Sequence, residues 1–175
     1  MSTPIPSRPG ATEYASPFET YIKLVPDGDI LTHLEQQIAE TARLLRDVSE
    51  SEAETRHAPY TWSVKQVVGH LIDCERIFGV RALRFARGDR TELPGFEEND
   101  YVRNARFDAR PLGSLIEEFE FVRRSHLLFF RGLDDEAWLR SGVANGCPVS
   151  VRALAYVIAG HERHHVAILR KRLSQ

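Results

Sequence analysis

The chain has 175 residues, of which 42% are hydrophobic and 27% charged, and its formal net charge at pH 7 is −2. This size and composition are typical of one folded domain with a sizeable core, and they exclude fibrous and disordered proteins. The small net charge, without a basic run that could follow a phosphate backbone, argues against nucleic acid as a partner.

The sequence also bears on the compartment. No apolar stretch reaches the length of a membrane-spanning helix. Prolines and a glycine stand near the N-terminus, where a secretory signal would need an apolar run. The two cysteines, Cys74 and Cys147, suit a reducing compartment better than a disulfide scaffold. We therefore expect a soluble, cytoplasmic protein that does not bind membranes.

The first 28 residues hold five prolines, so a long helix is not expected there. The segment nevertheless carries more apolar side chains than a free tail would: Tyr14, Phe18, Tyr21, Ile22, Leu24 and Val25. We expect residues 1–28 to form an extended strap across the body of the protein, with at most one short helical turn and with disorder in the first ten residues. Residues 29–175 are expected to form a single domain.

Two amphipathic helices are predicted after the strap. The first covers about residues 30–50 and follows a plausible N-cap at Asp29. The second covers about residues 64–87 and begins after Ser63, which together with Gln66 has the arrangement of a capping box. Both helices show apolar side chains at helical spacing, so each should bury one face.

The second helix carries a histidine in its apolar face. His70 shares that face with Val67, Cys74 and Ile77, and a single histidine in such a position is most often a hydrogen-bonded core residue. Cys74 follows His70 by one turn and is interpreted as a small apolar side chain, with a role as a fourth metal ligand left as the alternative.

The connection between the second and third helices, residues 88–111, is long for a helical bundle. Connections of this length are often lids or binding loops. Its acidic side chains, Glu97, Glu98 and Asp100, therefore either approach a functional site or belong to an acidic surface loop.

The third helix is predicted over residues 112–131. Its inward stripe is expected to contain Leu115, Phe119, Val122, His126 and Phe129. We interpret His126 as structural, because no second nitrogen donor shares its helix. A short helix over residues 134–140 should bury Trp138, and a turn at residues 143–146 leads to the last helix.

The last helix, residues 150–172, carries two histidines in its inward stripe. The stripe consists of Val151, Leu154, Ile158, His161, His165 and Ile168. Histidines four residues apart can point two ring nitrogens at one place, which is the spacing of helical zinc sites. The alternative is a pair of hydrogen-bonded imidazoles at the polar edge of the stripe. His70 on another inward face favours one site shared by all three histidines.

Four amphipathic segments without convincing strand alternation predict an all-α protein, a four-helix bundle. The long second connection allows the chain to pass between helices that are not nearest neighbours.

Several motifs resemble those of the DinB-like, or YfiT-like, superfamily of metal-dependent four-helix-bundle proteins. The motifs are Trp62-Ser63, Val68-Gly-His-Leu71 and Gly160-His-Glu-Arg-His-His165. Stretches within residues 13–26, 93–102 and 144–156 resemble one DinB-like subgroup, so the resemblance covers nearly the whole chain.

The resemblance implies an up-down-down-up bundle, with the long loop as its overhand connection, and a homodimer. Carried over position by position, it also implies His70, His161 and His165 as metal ligands. His164, one place out of register, should lie beside the site.

Three neutral imidazoles hold a divalent metal and leave at least one coordination position open, and zinc or nickel suits nitrogen ligands. Each ligand should donate its second N–H to a carboxylate or carbonyl, but the helical angles of Asp73 and Glu162 place both to the side. The acid or base of a reaction is unknown, and the candidates near the site are Glu97, Glu98, Asp100 and His164.

The resemblance implies two kinds of chemistry at such a site. Some members of the family transfer a low-molecular-weight thiol such as bacillithiol, mycothiol or glutathione, and a metal can bind a thiol as the nucleophilic thiolate. We therefore expect an enzyme that transfers the sulfur of such a thiol to a small electrophilic substrate. A metal-dependent hydrolase that uses metal-bound hydroxide, or a bundle that binds a metal or ligand without catalysis, remain the alternatives.

Overall fold

Four long helices form the body of the protein in a computed structural model that describes residues 7–174. The elements in chain order are α1 (Ser16–Ile22), α2 (Ile30–Arg46), α3 (Glu50–Ala53), α4 (Val64–Ala86), α5 (Glu98–Ala105), α6 (Leu112–Arg131), α7 (Asp135–Leu139), β1 (Ser141–Ala144), β2 (Cys147–Ser150) and α8 (Val151–Leu173). Helices α2, α4, α6 and α8 form the bundle, which confirms the predicted fold class.

Ion pairs and hydrogen bonds between the helices show their relative directions. Arg46 at the end of α2 pairs with Glu120, and Glu35 near the start of α2 pairs with Arg131 at the end of α6, so these two helices are antiparallel. On its other side α2 runs parallel to α8, because Gln37 donates to the carbonyl of Ala159 and Thr41, one turn later, donates to the side chain of Glu162.

Helix α6 runs parallel to α4. Glu75 of α4 contacts Arg123 of α6, and one turn later along both helices Gly79 contacts His126. The resulting arrangement is up-down-down-up, as predicted. The long loop makes the crossover that two consecutive parallel helices require.

The helices begin where their capping residues predict. The side chain of Asp29 accepts a hydrogen bond from the backbone at the start of α2. Ser63 and Gln66 form a capping box at α4, and Ser150 caps α8. Helix α2 ends at Arg46, earlier than predicted, and the short helix α3 follows it as a separate element.

A layer of buried polar side chains separates two apolar clusters along the bundle. The first cluster includes Phe85, Phe130 and Trp138, and the second includes Leu71 and Leu169. The residues between them form what we call the polar layer: Gln37, Thr41, His70, Glu75, Arg123, His161 and Glu162, each no more than 6% exposed. Candidate functional chemistry therefore lies in the middle of the bundle.

Two regions depart from the predicted secondary structure. The expectation of no strand was wrong between α7 and α8, where β1 and β2 form an antiparallel hairpin. Its turn is Asn145-Gly146, both at positive φ, which is the conformation of the tight hairpin turn that this dipeptide favours. The long loop contains helix α5 and a 3-10 turn at Phe107–Ala109.

The N-terminal segment is held on the bundle by polar contacts and by helix α1, which packs against α8. Arg8 donates hydrogen bonds to the carbonyls of Ile22 and Val25, and Glu13 pairs with Arg152. Residues 1–6, and with them most of the predicted disorder, lie outside the described residues. The division into a strap and a bundle domain remains a prediction.

Of the helices that the structure describes, none combines the length and hydropathy of a membrane-spanning segment.

Candidate metal centre

His70 lies on the inward face of α4, where that helix packs against α8. The capping box at Ser63 fixes the start of α4, and helical spacing then places His70 on the same buried face as Val67 and Cys74. The imidazole packs against the indole of Trp62, with ring centroids 4.9 Å apart. Helix α4 therefore contributes one imidazole to the polar layer.

His161 and His165 lie one turn apart on α8 and face His70. Their ring centroids are 4.6 Å from each other and 5.0 and 4.9 Å, respectively, from the centroid of His70. His161 is 5% exposed and is covered by the ring of Phe78, whereas His165 is half-buried. The structure thus brings together the three histidines that the sequence analysis identified.

The three imidazoles have the spacing that a single metal ion needs. One ring nitrogen from each of the three lies within 4.8 Å of the others, and the Nε2 atoms of His70 and His161 are 3.1 Å apart. Two nitrogens that each lie about 2.1 Å from a tetrahedral zinc ion are about 3.4 Å apart. The donor set therefore fits a divalent metal ion that prefers nitrogen ligands, such as zinc or nickel.

Burial keeps these imidazoles neutral. Loss of solvation lowers the pKa of His70 to about 4, against the opposing charge of Glu98. Burial, with the neighbouring His70 and His164, lowers the pKa of His165 to about 3. Burial, with the neighbouring histidines of the cluster, lowers the pKa of His161 well below its usual value. Neutral imidazole is the form that binds a metal, so all three are ready to act as ligands at neutral pH.

Cys74 contacts His70 without joining the cluster of nitrogens. Its Sγ atom is 3.6 Å from Nε2 and 3.7 Å from Nδ1 of that ring, so the thiol lies against the ring and does not face one nitrogen. Burial, with the charges of Asp73 and Glu75, raises the pKa of the thiol, which therefore stays protonated. Both observations favour the interpretation of Cys74 as a core side chain.

The acidic candidates of the long loop do not share one environment. All three are exposed, Glu97 at the N-cap position of α5 and Glu98 as its first residue. Asp100 pairs with Arg103 on the same helix. Among the three, Glu98 alone contributes a charge that acts on His70, Cys74 and Tyr21. Glu98 is therefore the one of the three that remains a candidate for a role at the cluster.

His164 lies beside the cluster, as expected from its register. It is half-buried, and its ring centroid is 5.1 Å from that of His165 and 5.9 Å from that of Tyr21. His164 is not part of the group of ring nitrogens that lie within 4.8 Å of one another.

Three other candidate side chains point away from the histidine cluster. His126 donates from Nδ1 to the carboxylate of Glu75, 3.0 Å away on the α6 side of α4, which agrees with a structural role. Glu162 binds Thr41 and Arg123 and does not bind a histidine. Asp73 is half-buried where the charges of Arg76 and Glu118 act on it.

The sequence analysis did not find the ionic part of the polar layer. Arg123 is completely buried and contacts the carboxylates of both Glu75 and Glu162. It also donates from Nη1 to the carbonyl of Leu34 and to Gln37. The available signal was helical spacing, because Arg123 stands four residues from both Phe119 and Leu127, in the middle of the true buried stripe of α6.

The aromatic walls of the cluster were also missed. Trp62 precedes the cap of α4 and covers His70, while Tyr21 of α1 lies edge-to-face on His161 with centroids 5.2 Å apart. The position of Trp62 next to the cap was a usable signal. Nothing in the pattern of residues 1–28 indicated that Tyr21 reaches the last helix.

The fold and this cluster define a class, the four-helix bundles that carry a candidate metal site between facing helices. The sequence matches the family model of the DinB superfamily over residues 33–169, and the chain belongs to that superfamily.

Two solved structures share the fold. YfiT from Bacillus subtilis, described as a probable metal-dependent hydrolase with an unusual four-helix bundle topology, is similar with a TM-score of 0.72 and 17% identity over 99% of this chain and 97% of that one. A mycothiol-dependent maleylpyruvate isomerase is similar with a TM-score of 0.64 and 16% identity over 78% of this chain and 58% of that one. No curated protein matches the chain in sequence.

Proposed function

We propose that His70, His161 and His165 bind one divalent metal ion, zinc or nickel, and that the chain is a metal-dependent enzyme acting on a small molecule. The observation that carries this proposal is the convergence of three neutral imidazoles, two buried and one half-buried, with one ring nitrogen of each within 4.8 Å of the others. Bound there, the ion keeps an open position and lowers the pKa of the water or thiol that occupies it.

The first candidate reaction is the transfer of a low-molecular-weight thiol to a small electrophile. The ligand set contributes no negative charge of its own, so an anionic sulfur is the group that would balance the charge of the site. The walls, Trp62, Phe78 and Tyr21, are aromatic and keep water from much of the cluster. A thiol-dependent isomerase with the same bundle supports this candidate.

The second candidate reaction is hydrolysis, with Glu98 as the proposed proton acceptor. Its charge acts on His70 and on Tyr21, which supports a role for this carboxylate beside the cluster. His164 is the alternative proton acceptor, from the α8 side. The description of YfiT as a probable metal-dependent hydrolase supports this candidate.

The first experiment measures the metal. Protein purified without an affinity tag, whose own histidines would bind metals, is examined by elemental analysis. We expect close to one zinc or nickel ion per chain. Protein that neither retains such an ion nor takes one up at micromolar concentration would contradict the proposal.

The second experiment separates the two reactions. The metal-loaded protein is incubated with a chromogenic electrophile and, in turn, with bacillithiol, mycothiol and glutathione, and separately with chromogenic esters and amides in water alone. Thiol transfer predicts turnover that requires both metal and thiol, whereas hydrolysis predicts turnover in water. Metal-free protein is the control in each series, and equal rates with and without metal would contradict both candidates.

We also propose a cytoplasmic homodimer. The reducing compartment is supported by the free, separate cysteines, one buried and one half-buried. The homodimer follows from the resemblance to the family, and analytical ultracentrifugation would test it.

A further inference from the structure

Tyr21 is the only side chain of the described N-terminal segment that contacts the imidazoles in ring-to-ring geometry. Its ring stands edge-to-face on His161 and on His164, with interplanar angles of 74° and 78°. A phenol is protonated at neutral pH, so the hydroxyl of Tyr21 can donate a hydrogen bond.

The backbone of Tyr21 is seated directly on α8. A Cβ atom at Gly160 would lie 2.0 Å from the carbonyl oxygen of Tyr21, so only glycine permits this approach. Gly160 immediately precedes His161. The contact therefore fixes Tyr21 relative to the residue that provides one of the three nitrogens.

Polar contacts before and after α1 hold Tyr21 in this position. Arg8 donates to the carbonyls of Ile22 and Val25, just after Tyr21. Before α1, Glu13 pairs with Arg152 and accepts a hydrogen bond from Ser150, both at the start of α8. The guanidinium of Arg8 also lies over the ring of Tyr156 of α8, 5.5 Å from its centroid, so contacts from Glu13 and Arg8 hold the segment that carries Tyr21 on α8.

We infer that Tyr21 is a substrate-binding residue of the histidine cluster, and that its hydroxyl donates a hydrogen bond to a carbonyl or carboxylate oxygen of the bound substrate. The inference rests on the proposed function and narrows it to substrates that present such an oxygen next to the reacting atom. A neutral phenol fixed beside the cluster is suited to an oxygen on which negative charge develops, because the donor is already oriented. The N-terminal segment then contributes one residue, Tyr21, to the substrate-binding site.

Two probes of different hydrogen-bonding chemistry test the inference on the zinc-loaded full chain by calorimetry. Acetohydroxamate binds a metal through oxygens that accept hydrogen bonds, whereas imidazole binds through one nitrogen and leaves no oxygen to accept. A hydrogen bond to a charged oxygen corresponds to a factor of about ten or more in affinity. We expect Tyr21→Phe to weaken acetohydroxamate at least about tenfold and to leave imidazole within about twofold.

Tyr14→Phe is the matched control, because it removes a hydroxyl from the same strap, at a residue packed against the apolar cluster that contains Phe85. We expect it to bind both probes as the wild-type chain does. Equal weakening of both probes in Tyr21→Phe would show that Tyr21 only supports the fold, and unchanged binding of acetohydroxamate would show that it does not contact the ligand. Either result overturns the inference while zinc binding still supports the proposed function. A wild-type chain that binds neither zinc nor nickel overturns both.

Discussion

The polar layer contains two clusters of opposite character, which share helices α4 and α8. In the ionic cluster, Arg123 of α6 lies between the carboxylates of Glu75 and Glu162, so opposite charges within the chain are paired. In the histidine cluster, neutral rings of His70 and His161 face each other across 3.1 Å, where at most one N–H can be shared. The charges of the first cluster are paired within the chain, whereas the second is the cluster that a metal ion would complete under the proposed function.

The difference is informative because the clusters alternate along single helices. Glu162 follows His161 directly in α8, and because consecutive side chains of a helix point in different directions, the two residues have different neighbours. Burial therefore does not distinguish structure from function in this bundle. The distinction lies in whether the partners of each buried polar group belong to the chain.

The two carboxyl groups of the ionic cluster have pKa values shifted in opposite directions. Burial opposes ionisation of Glu75, but the charge of Arg123 and hydrogen bonds from Arg123 and His126 outweigh it, so the pKa of Glu75 is lowered. For Glu162 burial dominates over the charge of Arg123 and the hydrogen bond from Thr41, and the pKa is raised. The cluster is thus stabilised mainly as a pair of Arg123 and Glu75, with Glu162 as the weaker acid.

Removing the guanidinium of Arg123, which both carboxylates contact, should have the largest effect on the free energy of unfolding. Arg123→Met leaves two buried carboxylates without the positive charge that they share, and breaking a buried pair in this way costs about 3–5 kcal/mol. We expect the free energy of unfolding of the metal-free protein, measured with urea, to fall by that amount.

Arg124→Met is the matched control, because Arg124 is exposed and lies 3.7 Å from Glu120. Exposed pairs of this kind contribute about 0–1 kcal/mol, so the control should be nearly neutral. A loss as small in Arg123→Met as in Arg124→Met would show that the buried network does not hold the helices together.

The second prediction breaks the histidine cluster. His161→Ala removes the most deeply buried of the three nitrogens, and we expect metal affinity to fall by more than about 100-fold, beyond the loss typical of residues around a metal ligand. The surrounding apolar stripe of α8 should keep the helices formed. Elemental analysis and circular dichroism measure the two effects separately.

His126→Ala provides the comparison, since His126 contacts Glu75 and lies outside the histidine cluster. It should retain the metal. If His161→Ala retained as much metal as His126→Ala, the three histidines would not be the ligand set.

The third prediction uses pH. In the folded, metal-free chain the pKa of His70 is about 4, below the 6.5 of the unfolded chain. Between these values the unfolded chain binds the extra proton, so stability is complete above pH 6.5 and is lost as the pH falls towards 4. From pH 8 to pH 5 this amounts to about 2 kcal/mol for His70 alone.

Urea denaturation in the presence of a chelator at pH 8 and pH 5 measures that loss. His70→Asn, which has no titrating imidazole at this position, should lose correspondingly less stability over the same range. Equal losses in both proteins would show that His70 is not buried in its neutral form.

Much of the fold could be predicted because it follows from local rules. Periodicity and caps located the four long helices, since a capping box or a single N-cap residue determines a helix start through a few neighbouring bonds. The hairpin could have been predicted from Asn145-Gly146, whose turn preference was read as a simple connection. Helix α5 could not be predicted as easily, because its eight residues include one buried side chain, Val102, and show no repeated stripe.

The histidine cluster was predictable for a related reason, namely that spacing on two inward faces limits where imidazoles can meet. The contribution of Tyr21 could not be predicted, because it depends on the path of the N-terminal segment and on its close approach to Gly160. The role of Arg123 was missed because Val122 and His126 were assigned to the stripe of α6, although both are half-buried and Arg123 is completely buried. A charged residue at the spacing of a core position therefore has to be tested as a core residue.

The smallest expected effect concerns Cys74, which touches both the apolar cluster and the ring of His70. Its thiol is neutral and lies against that ring, so Cys74→Ala should leave metal affinity within about twofold of wild type. Loss of the sulfur should lower the free energy of unfolding by about 1 kcal/mol, as removal of a small buried group does. Cys147→Ala, in the hairpin, is the control for the loss of a thiol elsewhere. If Cys74→Ala weakened metal binding tenfold and Cys147→Ala did not, the thiol would belong to the ligand set. The histidine cluster would then carry a negative charge of its own, and the argument for an external anionic sulfur would lose its basis.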